Sequence, residues 1–331
     1  MVTGVDLPAN ALAGSGNMSF FDEKIMAYGM LGSKESIFNG SIMTEQDFLR
    51  RFLFEESDVR GEWVNLTASW QAAKQHQQGS AVVQQLLGQA LAAVVMLSAI
   101  IKFKGSMILQ AQGNGKIKTL VAQASDDRKI RGLVRSTDEV AAGSLEEMFG
   151  QGRLVLTVDA GGVQPYQGIV PLQGRNLAAT LETYFVQSEQ LNTRLWLFAN
   201  DHCAAGLLLQ ELPEQKGDKT DWQRIEMLAN TITSHELLEL DCETLLYRLF
   251  HEEKVRVFDA EAVEFQCACS RQRIERTLRA MGEKELEGIL QERDNIEVIC
   301  EFCSEHYYFD KVDITALLHE ERMLDNPATL H

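Results

Sequence analysis

The chain has 331 residues, 45% of them hydrophobic, with 31 Lys plus Arg against 48 Asp plus Glu and a formal net charge of −17. That length supports a sizeable core and more than one domain. The negative balance argues against a non-specific nucleic-acid binder or a polybasic membrane binder, since both need a cationic face.

The first 42 residues, with Gly14-Ser15-Gly16, show no strong periodicity beyond a short amphipathic piece from Phe20 to Leu31. They read as a flexible extension, with Met43 a candidate start. No Lys or Arg precedes Lys24 and no compact apolar run with a cleavage site follows, so no signal peptide is expected. The longest apolar stretch, Ala90 to Ile101, is well short of the roughly 20 residues that span a bilayer. The expected location is cytoplasmic, with no membrane and no nucleic acid among the partners.

From Met43 to Pro213 the pattern is that of an α+β core with a largely antiparallel sheet and packed helices. Ser80 to Phe103 places Val83, Leu86, Leu87, Leu91, Val94 and Val95 at helical spacing, and Leu177 to Phe185 is a second helix. Met107 to Gln112 and Ile117 to Gln123 flank Gly113-Asn114-Gly115, while Leu154 to Val158 and Tyr166 to Val170 flank Gly161-Gly162. Both read as hairpins, because Asn-Gly and Gly-Gly supply the positive φ of tight turns. Leu195 to Phe198 and Leu207 to Leu209 are further strands. Arg128, Lys129, Arg131 and Arg135 make a basic patch, most simply a solvated sheet edge. Gly113-x-Gly115 lacks the third glycine of a dinucleotide loop and is assigned no phosphate.

Of 24 Gly and 5 Pro, only Gly217, Gly282, Gly288 and Pro327 lie beyond Pro213, which puts a boundary there. Residues 214–266 form an acidic, helical linker in which Thr233 and Glu236 fit a capping box and Leu237, Leu238, Leu245, Leu246, Leu249 and Phe250 supply apolar faces. Such short helices are marginal alone and depend on docking. Residues 267–331 form a small C-terminal domain and tail, with helical Arg271 to Met281 and Glu283 to Gln291 and a strand-like Ile296 to Ile299. It holds few large apolar residues and does not easily fold unaided.

Six cysteines are too few for a disulfide scaffold in so long a chain. Four of them form two close pairs, Cys267-Ala268-Cys269 and Cys300-Glu301-Phe302-Cys303. Four thiolates suit a tetrahedral, borderline-soft ion such as Zn²⁺, with iron in the same cage and unliganded buried thiols as the alternatives. Bound metal also keeps sulfurs in the reactive thiolate form, so the four residues suit either a reversible redox switch or a purely structural site. The remaining candidates are weaker. Asp201-His202-Cys203 suggests a nucleophile and base, but strand neighbours face opposite ways, leaving Cys203 an inert core residue. Cys242 reads as a half-buried helix residue, and His306 as a neighbour of the ligands or a surface residue. No catalytic constellation stands out, and the chain is not read as an enzyme.

The sequence resembles the bacterial redox-regulated chaperone family known as the 33 kDa chaperonin, or heat-shock protein 33, from about Met43 to the C-terminus. The resemblance rests on Phe52-Leu53-Phe54, Val59-Arg60-Gly61-Glu62-Trp63-Val64, Tyr184-Phe185, Ser188-Glu189-Gln190-Leu191, Thr193-Arg194-Leu195 and Ala205-Gly206-Leu207-Leu208-Leu209-Gln210. Phe265-x-Cys267-x-Cys269-Ser270-Arg271 and Cys300-x-Phe302-Cys303 with Tyr308 complete it. Asn192, where the family often has Pro, and Asp294-Asn295, where a Gly is common, depart from the pattern; Asn tolerates a left-handed backbone. The resemblance implies an ATP-independent holdase. In it Cys267, Cys269, Cys300 and Cys303 hold one Zn²⁺ in the reduced, inactive state, and oxidation joins Cys267 to Cys269 and Cys300 to Cys303. The zinc domain and linker then unfold, and the protein, commonly a homodimer, protects unfolding clients under oxidative and heat stress. Two competing functions remain: a thiol-disulfide oxidoreductase using Cys300 and Cys303, which lacks a thioredoxin-like context, and an adaptor with a fixed zinc domain.

Overall fold

The computed structural model describes residues 47–137, 139–160, 164–213 and 219–324. The N-terminal extension and the Gly161-Gly162 turn lie outside them. Fourteen strands are described: β1 (Phe48–Phe54), β2 (Val59–Leu66), β3 (Ser106–Gly113), β4 (Ile117–Ser125), β5 (Lys129–Ser136), β6 (Gly152–Asp159), β7 (Tyr166–Pro171), β8 (Thr193–Ala199), β9 (Ala204–Glu211), β10 (Val255–Val257), β11 (Glu261–Ala262), β12 (Glu264–Phe265), β13 (Asn295–Ile299) and β14 (His306–Asp310). One sheet runs β10-β1-β2-β9-β8 with β11 also on β1, a second runs β12-β5-β4-β3-β6-β7, and β13-β14 is a separate hairpin. Every pairing is antiparallel except β12 on β5, so the expected α+β class with an antiparallel core holds. Both expected hairpins pair, β3 with β4 and β6 with β7, but Gly113, Asn114 and Gly115 do not take the expected positive φ; the glycines instead let the Phe149 backbone approach, since a Cβ on Gly113 would fall 2.2 Å from its carbonyl oxygen.

The helix Ala81–Ala99 lies between the two large sheets, touching β3, β4 and β5 on one side and β2, β8 and β9 on the other. A helix between two layers must be apolar all round, and almost all of it from Leu86 to Ala99 is buried. By length and composition it would pass for a membrane span, yet 72% of its most apolar window is inside the fold. Gly88 lets the helix approach the β8–β9 turn: a Cβ there would come within 2.8 Å of the Ala199 methyl.

The outer face of the first sheet carries the helices Lys219–Ala229, Ser234–Glu239 and Cys242–Phe250. Phe52, Phe54, Trp63 and Leu207 from the sheet meet Trp222, Ile225, Leu245 and Phe250 in a second apolar cluster, the docking that such short helices need. The Thr233–Glu236 capping box is formed. Helicity stops at Phe250, however, and residues 255–265 hold the three short strands β10, β11 and β12 instead. β10 and β11 extend β1, and β12 lies on β5. Partner strands distant in the chain supply the ladders that a local reading does not see.

Two further expectations are corrected. Cys242 is fully buried rather than half-buried, because the helix it begins sits flat on the first sheet. The basic patch on β5 is not a solvated edge. Arg128 is buried, its guanidinium donating to Ser98 Oγ at 3.0 Å and to Glu261 Oε2 at 3.0 Å, and Lys129 is ion-paired with Glu264. Left-handed backbone is found at Gln190, two residues before Asn192, but at neither Asn192 nor Asn295.

Beyond the sheets, Leu278, Leu286, Ile296, Phe309, Ile314, Leu317 and Leu318 form a third, small cluster. Its elements are the helices Arg271–Met281 and Glu283–Glu292, the β13–β14 hairpin and the helix Lys311–Leu324. The last helix is an element that the sequence reading did not contain.

Candidate metal centre

Cys267 and Cys269 sit on the extended segment between β12 and the helix Arg271–Met281. Ser270 caps that helix, its hydroxyl accepting from Arg273 N–H at 3.3 Å. Cys269 therefore lies beside a helix N-terminus, whose partial positive charge favours a thiolate. Arg273 also donates to the Ala268 carbonyl at 2.8 Å, fixing the C-x-C backbone. Cys300 and Cys303 occupy the turn of the β13–β14 hairpin. The turn is closed by Cys300 N–H to Glu305 O at 2.9 Å and Ser304 N–H to Cys300 O at 2.7 Å, with Ser304 at φ 54°.

The two loops meet. All four Sγ atoms lie within 4.8 Å of one another, and the nearest approaches run across the loops: Cys267 to Cys300 at 3.6 Å and Cys269 to Cys303 at 3.3 Å. None is a disulfide. Four sulfurs each roughly 2.3 Å from a central ion would stand about 3.8 Å apart at the corners of a tetrahedron; the two cross-loop separations are slightly shorter than that and no pair exceeds 4.8 Å. Burial pushes the Cys267 and Cys303 thiols up. Burial acts the same way on Cys269, but the Tyr307 hydroxyl, 3.3 Å from its sulfur, and the neighbouring thiols outweigh it and hold that thiol below its ordinary range. Four half-buried thiolates at such spacing repel one another unless a cation sits among them, so the donor set fits a thiophilic metal ion.

His306 is not in this group; its Nδ1 is 2.7 Å from Glu297 Oε1 and its ring stacks on Tyr308. Cys203 is buried away from it, its thiol pushed up to about 11 by burial and then by Glu239, with Leu238 O at 3.6 Å. It has the inert character expected. Tyr307 was missed in the sequence, although its position one residue past His306 on a strand beside the cysteines was a signal available there. Also missed were the contacts that the C-x-x-C loop makes with the core: Glu301 is ion-paired with Arg135, and the Arg131 guanidinium stands 4.4 Å from the centre of the Phe302 ring.

A family model described as "Hsp33 protein" matches residues 47–310. The 33 kDa chaperonin of Nitrosococcus oceani is 56% identical over 289 residues, covering 87% of this chain and 100% of that protein. That of Methylobacillus flagellatus is 40% identical over 293 residues, with the same coverage of 87% and 100%. A crystal structure of the 33 kDa chaperonin (heat shock protein 33 homolog) of Thermotoga maritima matches with a TM-score of 0.74 at 24% identity, covering 85% of this chain and 100% of that one, a likeness of fold.

Proposed function

This chain belongs to the Hsp33 family of chaperones, and we propose that it is a holdase whose activity is gated by the oxidation state of Cys267, Cys269, Cys300 and Cys303. The convergence of the four sulfurs within 4.8 Å carries the reading. In the reduced protein these residues would hold one Zn²⁺, which supplies a positive charge that keeps the sulfurs as thiolates and ties the two loops together. The proposed division is a substrate-binding core at 43–213, a linker at 214–266 and a zinc domain and tail at 267–331.

Oxidation converts each dithiolate to a disulfide, Cys267 with Cys269 and Cys300 with Cys303. Each pair gives two electrons to a peroxide, which takes up two protons and leaves as two waters. A ring closed across a single intervening residue is small and comparatively easy to reduce again. Disulfide sulfurs no longer donate to an ion, so the loops are untied. Among the described residues the third apolar cluster has seven buried members, a small core that would not persist without that tie. The acidic helices follow, because they depend on docking. The face uncovered carries Phe52, Phe54, Trp63 and Leu207, an apolar surface for unfolding clients. No nucleotide enters this sequence, and the oxidised protein would act as a homodimer in the cytoplasm.

The test is zinc content and suppression of client aggregation, recorded on one sample before and after peroxide with mild heat. One zinc and no suppression before, no zinc and suppression after, is the expected result. A zinc content unchanged by oxidation, or suppression indifferent to it, sinks the reading. Tryptic mapping checks the pairing, since cleavage after Arg271 separates the two cysteine pairs.

A further inference from the structure

The cations of β5 have an occupant. Its alternation puts Ile130, Gly132 and Val134 toward the core and Lys129, Arg131, Leu133 and Arg135 on the outer face. That face is covered, for Leu133 is only 5% exposed. Two Glu-Phe dipeptides, far apart in sequence, lie on the strand. Glu264-Phe265 runs parallel to it: Glu264 N–H donates to Arg128 O at 3.2 Å and Gln266 N–H to Ile130 O at 3.0 Å. The Glu264 carboxylate is ion-paired with Lys129, and the Phe265 ring stacks on His76 with centroids 6.1 Å apart. Glu301-Phe302 meets the other half of the strand through Arg135 and Arg131, and Arg131 is held in position by Gln123 Oε1 at 2.8 Å.

Each dipeptide adjoins one cysteine pair. Glu264-Phe265 ends two residues before Cys267, and Glu301-Phe302 is the interior of the C-x-x-C loop. We infer that β5 is the seat of a two-point clamp, in which Glu264-Phe265 and Glu301-Phe302 hold the core jointly because the four-sulfur centre ties them together. This rests on the reading that the centre holds an ion when reduced. Taken singly, the contacts are weak: exposed ion pairs contribute little, a surface cation–π contact is modest, and a strand of two residues nucleates nothing. Joined through the sulfurs they act as one bivalent ligand, each raising the effective concentration of the other at β5. The centre thus controls strand β12 at a distance from the sulfurs, by removing the bivalency.

The experiment uses the full-length reduced protein, the variants Arg135→Glu and Arg131→Ala, and the charge swap Arg135→Glu with Glu301→Arg. Hydrogen exchange is read at Glu264 and Gln266, whose amides donate to the Arg128 and Ile130 carbonyls and not to a mutated residue, with β3 and β4 amides as the control for an intact core. The clamp requires exchange at Glu264 and Gln266 to quicken by about tenfold or more in Arg135→Glu and in Arg131→Ala, with zinc content equal to that of the parent protein, and to return toward the parent rate in the swap. Unchanged exchange at these amides in both single variants, or no recovery in the swap, overturns it. A protein that binds no zinc but still shows the coupling would refute the metal reading while leaving the two-point seat standing.

Discussion

Glu62 is the most exacting single residue outside the sulfur centre. It faces the layer between the two large sheets, opposite Arg51 on β1, is 2% exposed, and its Oε2 has no hydrogen-bond partner. Burial pushes its carboxyl up to about 7, against the pull of Arg60, Arg51 and Arg128 and with a further push from Glu261. A carboxyl whose folded value lies above its unfolded one binds more protons folded than unfolded between the two values, so stability falls as pH rises from the ordinary carboxylate range through 7. At about 1.4 kcal/mol per pH unit the loss attributable to Glu62 is on the order of 3 kcal/mol by pH 8. Glu62→Gln removes this dependence. Denaturant melts of the parent and variant at pH 4.5 and pH 8 should show the variant gaining on the parent as pH rises between them; parallel behaviour would assign Glu62 an ordinary carboxyl. The same neighbourhood anchors β11, where Glu261 stands 2.8 Å from Arg51 and 3.0 Å from Arg128.

At the scale of elements, the strand pair β1–β2 couples the core to the helices on its outer face. Gly61 is directly paired with Phe52, and a Cβ on Gly61 would fall 2.1 Å from the Phe52 ring. That ring lies among the residues that meet Trp222, Ile225 and Phe250. Gly61→Ala must therefore turn Phe52 out of its place, at a cost of about 1–3 kcal/mol for overpacking, and the helices Lys219–Ala229 and Cys242–Phe250 lose part of their seat. The expected outcome is faster proteolysis within residues 219–265 at unchanged zinc content, with Gly61→Ala combined with Phe52→Leu recovering part of the protection. Elements with a period of their own were legible in the sequence: the long helix, the hairpins, the Thr233–Glu236 cap. The strands β10–β12 were not, since their ladders are supplied by β1 and β5, and the cations of β5 looked solvated because the acids that meet Arg128, Lys129 and Arg135 lie more than a hundred residues further along the chain.

For the whole molecule, the four cysteines were legible because thiolate chemistry leaves its spacing in the sequence. What they are fastened to was not. Among the described residues the three apolar clusters differ greatly in size: the first gathers residues from both large sheets around the helix Ala81–Ala99, the second spans one sheet face, and the third has seven buried residues. Structural Zn²⁺ contributes roughly 10–16 kcal/mol of apparent binding energy in small peptides, more than so small a core supplies, whereas the first cluster takes only Val263, with Phe265 packed against it, from the segment beside the sulfurs. Removing metal with a chelator under reducing conditions, where no disulfide forms, should therefore melt the molecule in parts. Amides paired between β13 and β14 would exchange at once and helical signal from Arg271–Met281 and Glu283–Glu292 would fall, while amides paired between β3 and β4 keep their protection. Added zinc should reverse the loss. Full protection of β13–β14 without metal would mean that the third cluster stands alone and that the sulfurs are not its fastening, while simultaneous loss of β3–β4 would mean that the core and the C-terminal part form one cooperative unit.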